Sequence, residues 1–457
     1  RPQRSTLFPY TTLFRSERKV IVSTYQPPRL KKKLEFLKKA YGPGDKAQAS
    51  LQVHRATGET LAGHPFTAVV SLEGNEIQRF AGRTDAKGES MVHFTLPEKI
   101  EKEDGMLNIL VEEAGVTESI ARPIPIVLQK MNLSIYPEGG AMVAGLPSRV
   151  YFYATNTIGK PADFEGQLVD SKGEVLENFA SYHQGMGCFS ITPRLDEQYF
   201  IKVKKPVGVL TTFALPKPSS QGVVLAVAGQ EGKSLQLAIH SGQEGKKTFV
   251  CAMVRENVLG VLSVTLQKGE NRFSLPVQGN FQGVARVTIF DEDLLPMAER
   301  LTYLGRGQNM AIKITPRQEK YHPRGKVEMD VEARTPTGEP VQASLCLSVV
   351  DDTVLSFADD KTAHILAATY LQSEIPSPIE EPNFYFSKEE KAPLATDMLL
   401  ATLGWRTFEW KEVFDPTPRE TIEYSKDQLA INAIEEERIE RKPDRKSTRL
   451  NSSHVSQ

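Results

Sequence analysis

Three groups of residues have the types that chemistry uses. Gly229-Gln230-Glu231-Gly232-Lys233-Ser234 carries most letters of a phosphate-binding loop, whose backbone amides cradle phosphate while its Lys reaches it. That loop also needs a Gly five residues before Gly232, and position 227 is Val. Gly242-Gln243-Glu244-Gly245-Lys246 repeats the letters, so both stretches read as hairpin turns. His183 and Cys188 have the types of a base and a nucleophile. A strand offset of five puts them on opposite faces, unless the turn at Gly185-Met186-Gly187 undoes that parity. Asp351-Asp352 and Asp359-Asp360 lack calcium-loop spacing and read as solvated turn carboxylates. No two histidines stand at helical spacing with a Glu, and no Gly-x-Ser-x-Gly elbow is present. Catalytic, cofactor-binding and metal-ligating residues are therefore all expected to be absent, and the chain is not expected to be an enzyme.

Composition narrows the class. A net charge of −1 exerts no global pull on nucleic acid, so no nucleic-acid partner is expected. The three cysteines, Cys188, Cys251 and Cys346, are far apart and odd in number. They make no disulfide framework and read as small, half-buried thiols in sandwich cores. Asn132-Leu133-Ser134 fits a glycosylation acceptor, which by itself decides nothing.

The elements are strands. In Tyr321–Leu355, Val327, Met329, Val331 and Ala333 alternate with Glu328, Asp330 and Glu332, the period of a half-buried strand. Thr335-Pro336-Thr337-Gly338-Glu339-Pro340 is a turn, and Ala343, Leu345, Leu347 and Val349 predict a second strand after it. The unit occurs earlier, with Tyr41, Pro43, Leu51 and Gly58 each 280 positions before Tyr321, Pro323, Val331 and Gly338. A looser copy spans Arg149–Pro161. Such self-similarity predicts an array of one domain type.

These residues carry a resemblance. The Tyr-Gly-Pro-Gly opening, the Thr-Gly-Glu-Pro-Val turn and Val349-Val350-Asp351-Asp352-Thr353-Val354-Leu355 resemble domains of the α2-macroglobulin family, in its bacterial branch. Residues 136–161 and 183–189 resemble its next domain, and Thr396–Trp410 resembles a block that follows this strand in many bacterial relatives. The resemblance runs over roughly residues 30–415.

The expected fold is mainly β: tandem antiparallel sandwiches of immunoglobulin or fibronectin type III kind, with a short helical insert. The expected organisation is a linking strand in 17–40 and sandwiches at 41–128, 131–207 and 210–305. A fourth, at 309–418, carries the insert, and a linker or helix occupies 419–445. A basic helix in Leu30–Tyr41 is the weaker reading, because a Gly-Pro-Gly turn follows at once. Helices are expected over Ala363–Ser373, with Ile365, Leu366, Tyr370 and Leu371 apolar, over Leu394–Thr402, and over Gln428–Arg441. Trp405, Phe408 and Trp410 are expected to pack the second of these onto the fourth sandwich. Residues 1–16 and 446–457 resemble translated sequencing adapters, so the chain is expected to be an internal fragment of about 430 native residues.

The resemblance implies an extracytoplasmic endopeptidase inhibitor, with proteases and the other domains of the intact chain as partners. In such proteins a cleavable bait segment follows the strand ending at Asp351-Asp352, and a Cys-Gly-Glu-Gln thioester traps the protease. Phe189, Ala252 and Leu347 follow the three cysteines, so no thioester motif is present. Gln372–Pro393 stands at the place of a bait and is Pro-rich, charged and expected to be exposed. Its candidate contact residues are Glu374, Pro376, Pro378, Glu380, Asn383, Phe384, Tyr385 and Phe386. The competing reading is an ordinary connection between packed helices. At the level of function, the alternative is a structural or adhesive module of a cell-envelope protein, ahead of a TonB-type plug domain. A polysaccharide-binding sandwich lacks an aromatic platform in the sequence.

Overall fold

Ala47, Ala49, Leu51 and Val53 are buried, while the residues between them face outward or lie half-covered. That alternation, repeated strand after strand, builds the described part of the molecule. A computed structural model describes residues 29–279, 281–350 and 363–406. Asp351-Asp352, Asp359-Asp360, Phe408, Trp410, the Gln428–Arg441 helix and both adapter-like ends lie outside the described residues.

The first seven strands are β1 (Leu30–Phe36), β2 (Lys46–Arg55), β3 (Pro65–Leu72), β4 (Asn75–Arg83), β5 (Glu89–Thr95), β6 (Gly105–Glu113) and β7 (Val116–Pro123). They form two antiparallel sheets, β1-β2-β5 and β4-β3-β6-β7. Leu34, Leu51, Ala68, Val70, Leu107 and Ile109 fill the space between them. The next seven are β8 (Asn132–Pro137), β9 (Ser148–Thr155), β10 (Glu165–Val169), β11 (Val175–Ala180), β12 (Met186–Ile191), β13 (Phe200–Lys205) and β14 (Thr212–Ala214). The third set is β15 (Val223–Glu231), β16 (Ser234–Ser241), β17 (Lys246–Val254), β18 (Asn257–Leu266), β19 (Gly269–Pro276), β20 (Gly283–Phe290) and β21 (Pro296–Leu304). Each set repeats the order of the first: strands one, two and five in one sheet, and four-three-six-seven in the other. Three identical topologies in succession make the chain a tandem array of fibronectin-type sandwiches.

Two expected boundaries move. Leu30–Phe36 is the first strand of the first sandwich rather than a link into it, because Leu30 and Leu34 are buried in that core. The second sandwich runs past residue 207, since β14 pairs with β13 and Leu215 joins its core. Both glycine stretches are turns. Gly232-Lys233 closes the β15–β16 hairpin, and Gly245 lies in the link from β16 to β17.

The repeat at 280 residues is structural. The Tyr41 hydroxyl donates to the Gln48 carbonyl at 3.1 Å and accepts from the Lys38 amide at 3.3 Å. The Tyr321 hydroxyl donates to the Glu328 carbonyl at 2.8 Å and accepts from the Gln318 amide at 3.2 Å. β22 (Ala311–Pro316) and β23 (Met329–Arg334) pair with Ile314 opposite Val331, as Leu34 stands opposite Leu51. Burial differs. Leu34 and Leu51 are sealed, whereas Ile314 is 50% and Val331 39% exposed. The strand expected over Ala343–Val349 joins no sheet, and among the described residues this fourth unit is a hairpin, not a sandwich. Among the described residues no second sheet covers its apolar side. Accordingly, Tyr41→Phe should cost about 1–2 kcal/mol, because buried hydrogen-bonding groups lose their partner. Tyr321→Phe, beside water, should cost under ~0.5 kcal/mol. Denaturant midpoints of the two variants check this.

Candidate functional site

Residues 363–406 form a block that packs on the second and third sandwiches. The reason is visible in β9. Val150, Phe152 and Ala154 point into the core of the second sandwich, and Tyr151 is buried on the opposite face. A strand apolar on both sides needs cover on both sides. The block supplies it. Leu371, Ile375, Ile379, Tyr385, Ala395, Met398 and Leu399 cluster with Tyr151 and Met186 of the second sandwich and with Val284 and Leu301 of the third.

The helix Ala392–Thr402 opens with Pro393 in its first turn and is buried around most of its circumference. Thr396 and Thr402 satisfy their hydroxyls by donating to the carbonyls of Ala392 and Met398, at 2.7 and 2.8 Å. Over Ala363–Ser373, where a helix was expected, one α-helical turn (Ile365–Ala367) runs into a π-helical turn (Ala368–Gln372). His364 caps it by accepting the Ala367 amide at Nδ1. Of its apolar residues Ile365 is exposed, while Leu371 is sealed. Trp405 packs on the second sandwich rather than the fourth: its indole donates to the Pro137 carbonyl at 2.7 Å and its ring meets Tyr136 edge-on.

The candidate contact residues are mostly tied down. Glu374 accepts from Arg255 Nε at 2.7 Å, and Glu380 from Lys160 Nζ at 2.6 Å. Asn383 accepts the His364 amide at 2.8 Å. Phe384 stacks on His183, with ring centroids 3.9 Å apart. Tyr385 is buried, and its carbonyl accepts from Arg306 at 2.9 Å. Phe386 meets Tyr303 and His364 edge-on. Pro376 and Pro378 are exposed, as is the stretch 388–391. The general exposure expected of Gln372–Pro393 is therefore not found. Its apolar residues at 375, 379, 382 and 385 are spaced to anchor it, and that spacing outweighs its Pro-rich, charged composition.

Beneath the helix lies a buried ionic network that the sequence reading missed. Glu138 accepts two hydrogen bonds from Arg149, at 2.9 and 2.7 Å. Arg300 Nη2 donates to Asp397 at 2.8 Å and to the Tyr151 hydroxyl at 3.1 Å, and its Nη1 donates to the Leu301 carbonyl at 2.7 Å. The Tyr151 hydroxyl in turn donates to Asp397 at 3.2 Å. Burial alone would lower the Arg300 guanidinium, but Asp397, Tyr151 and Glu138 outweigh it and hold Arg300 charged. Burial pushes the Tyr151 hydroxyl far up, so it stays a donor. The available signal was the Glu299-Arg300 pair inside an otherwise apolar strand.

His183 and Cys188 both face the block, contrary to the simple strand parity. Gln184 and Gly185 adopt positive φ and turn the chain between them. At Gly185 a Cβ would come within 2.3 Å of the Ala154 carbonyl oxygen, so the turn requires glycine. Burial pushes the Cys188 thiol up and the His183 imidazole down to about 4. An activated thiolate would need its pKa lowered, not raised. Cys251 is half-buried, but Cys346 is exposed, because the residues around it join no sheet. Among the described residues, no three His, Cys, Asp or Glu side chains are grouped to hold a metal ion.

The His183 shift has a pH consequence. Its Nε2 is buried without a hydrogen-bond partner. Glu381 and Asp163 pull its pKa up, Lys39 and Lys391 push it down, and burial dominates. A depressed histidine pKa favours the neutral folded form. Stability is thus intact above the ordinary value near 6.5 and falls as pH drops from there towards 4, by roughly 2–3 kcal/mol. Unfolding measured across that range should show this slope, and His183→Phe should flatten it.

No family model and no curated protein matches this sequence. Solved structures similar to it include the native conformation of E. coli α2-macroglobulin, at 10% identity and a TM-score of 0.32, covering 69% of this chain and 26% of that one. A Salmonella α2-macroglobulin mutant has 12% identity and a TM-score of 0.32 over the same shares of both chains. The E. coli adhesin FdeC has 11% identity and a TM-score of 0.19, covering 61% of this chain and 98% of that one. The chain spans about a quarter of the length of those macroglobulins. Nothing about activity follows from these similarities.

Proposed function

We propose that this chain is a non-catalytic framework segment of an extracytoplasmic, α2-macroglobulin-like protein of the cell envelope. It holds other domains of the intact protein in place. One observation carries this reading: the segment standing where a bait would be is packed. Ile375, Ile379 and Tyr385 are buried, and Glu374 and Glu380 are ion-paired to two different sandwiches. A protease needs a stretch of extended, accessible backbone, and a docked segment withholds it. The family resemblance of the sequence supports the extracytoplasmic, macroglobulin-like part of the reading.

A second reading, a protease trap, is favoured by the exposed Lys388-Glu389-Glu390-Lys391 connection. Limited digestion with several unrelated proteases separates the two. The framework reading expects first cuts outside 372–386 and proteases that remain fully active on large substrates. First cuts within 372–386 by every protease, with activity lost on large substrates only, would overturn it.

A further inference from the structure

The second and third sandwiches meet directly where Arg300 bonds Glu138 and the Tyr151 hydroxyl, and where the Glu299 amide donates to the Gly139 carbonyl. Their link, Pro216-Lys217-Pro218-Ser219-Ser220-Gln221-Gly222, is short and rich in Pro, Ser and Gly. The small buried cluster at their junction is Val143, Leu146 and Val224. A larger buried cluster includes the block 363–406, with Tyr151 and Met186 from one side and Val284 and Leu301 from the other. Buried apolar area is a main source of docking free energy, so the block adds to the direct contacts at this junction.

The charges are sorted in the same way. Four carboxylates of the block each meet a cation outside it. Glu381 pairs with Lys39 at 2.9 Å, in the loop after β1 of the first sandwich. Glu380 pairs with Lys160 of the second at 2.6 Å, and Glu374 with Arg255 of the third at 2.7 Å. Asp397 pairs with Arg300 of the third at 2.8 Å. In these four pairs the block supplies the anion and one of three consecutive sandwiches the cation; Arg406 of the block faces Glu299 of the third the other way round, at 3.9 Å. The first three pairs are partly solvated, so each is individually weak and open to screening by salt.

We propose that residues 363–406 are a releasable strap, whose undocking loosens the second sandwich against the third and leaves the link 216–222 and the Arg300 contacts to Glu138 and Tyr151 to hold them. The proposal rests on the block being packed, as the framework reading holds. It goes further in making the block separable from the folds it binds. The strap is held by an apolar patch at its centre and by a rim of complementary charges, the anatomy of a docked partner rather than of a domain core. Each sandwich also has a complete core without it.

The test is a charge swap in the full chain. Glu374→Lys, Glu380→Lys and Glu381→Lys together replace three attractions by repulsions. Amide exchange in Ala392–Thr402 should then speed up by about tenfold or more, and X-ray scattering should show a larger, flexible particle. Exchange in β2, β9 and β17 should stay slow. Adding Lys39→Glu, Lys160→Glu and Arg255→Glu should restore both readouts. Three results would overturn the proposal: no change in block exchange on reversal, a released block with unchanged scattering, or loss of protection in the sandwich strands along with the block. The digestion experiment reads where the segment is cut and is independent of these outcomes.

Discussion

Arg300→Ala is expected to lower stability by about 3–5 kcal/mol, among the largest effects of any single substitution in this chain. Arg300 is 3% exposed, and its guanidinium joins Glu138, Asp397 and the Tyr151 hydroxyl. Removing it leaves the Asp397 carboxylate without its cation beside an apolar cluster. Glu138 keeps Arg149, so most of the cost falls on Asp397 and Tyr151. Trp405 stands against Pro137 and Tyr136, within the same junction. Its fluorescence in a urea titration should therefore show the block unfolding at lower denaturant than in the parent. Arg300→Ala together with Asp397→Ala should cost less than the two singles added. An additive result would mean that the pair is not coupled.

Tyr385→Ala is expected to cost about 3–5 kcal/mol as well, by a different route. The ring is 2% exposed and lies edge-on to His183 and Phe384. Truncation opens a cavity under the 382–386 turn and removes the main anchor of that turn on the second sandwich. The loss should concentrate in the block. Digestion within 372–391 should begin at protease concentrations that leave the parent intact, while the first sandwich, whose core does not include Tyr385, should be unchanged. Equal susceptibility of parent and variant would show that Tyr385 does not hold the segment down.

Most of the sandwich architecture was legible because it rests on short-range rules. The alternation at Ala47–Val53 and Phe66–Leu72 gives strands directly, and the spacing of Tyr41 and Tyr321 gives the repeat. The boundaries were harder. β14 has three residues, too few to show a period, and Leu30–Phe36 alternates weakly because Lys32 shares the face of Leu30 and Leu34. The fourth unit shows the limit of pattern reading. Leu345 and Leu347 have the alternation of a strand, but a strand also needs a neighbour, and none is present among the described residues.

The candidate site was less legible, because it depends on contacts distant in sequence. Gln372–Pro393 has the composition of an exposed loop, yet its cover comes from Tyr151, Met186 and Leu301. One clue was available. Val150-Tyr151-Phe152-Tyr153 is a continuous apolar run, and a strand that does not alternate is covered on both faces. The ionic network offered only the charged pair Glu299-Arg300 in an apolar strand, and a sequence does not name its partners Glu138 and Asp397, which lie far away along the chain.

Amide hydrogen exchange on the unmodified chain tests the central claim most directly, namely that residues 363–406 are a docked part of the framework. The packing seen here predicts that amides in Ala392–Thr402 exchange at least about a thousandfold more slowly than in an unstructured peptide. Exchange at the unstructured rate through 372–402, with the sandwich strands still protected, would contradict it and return the segment to the role of an exposed, cleavable loop.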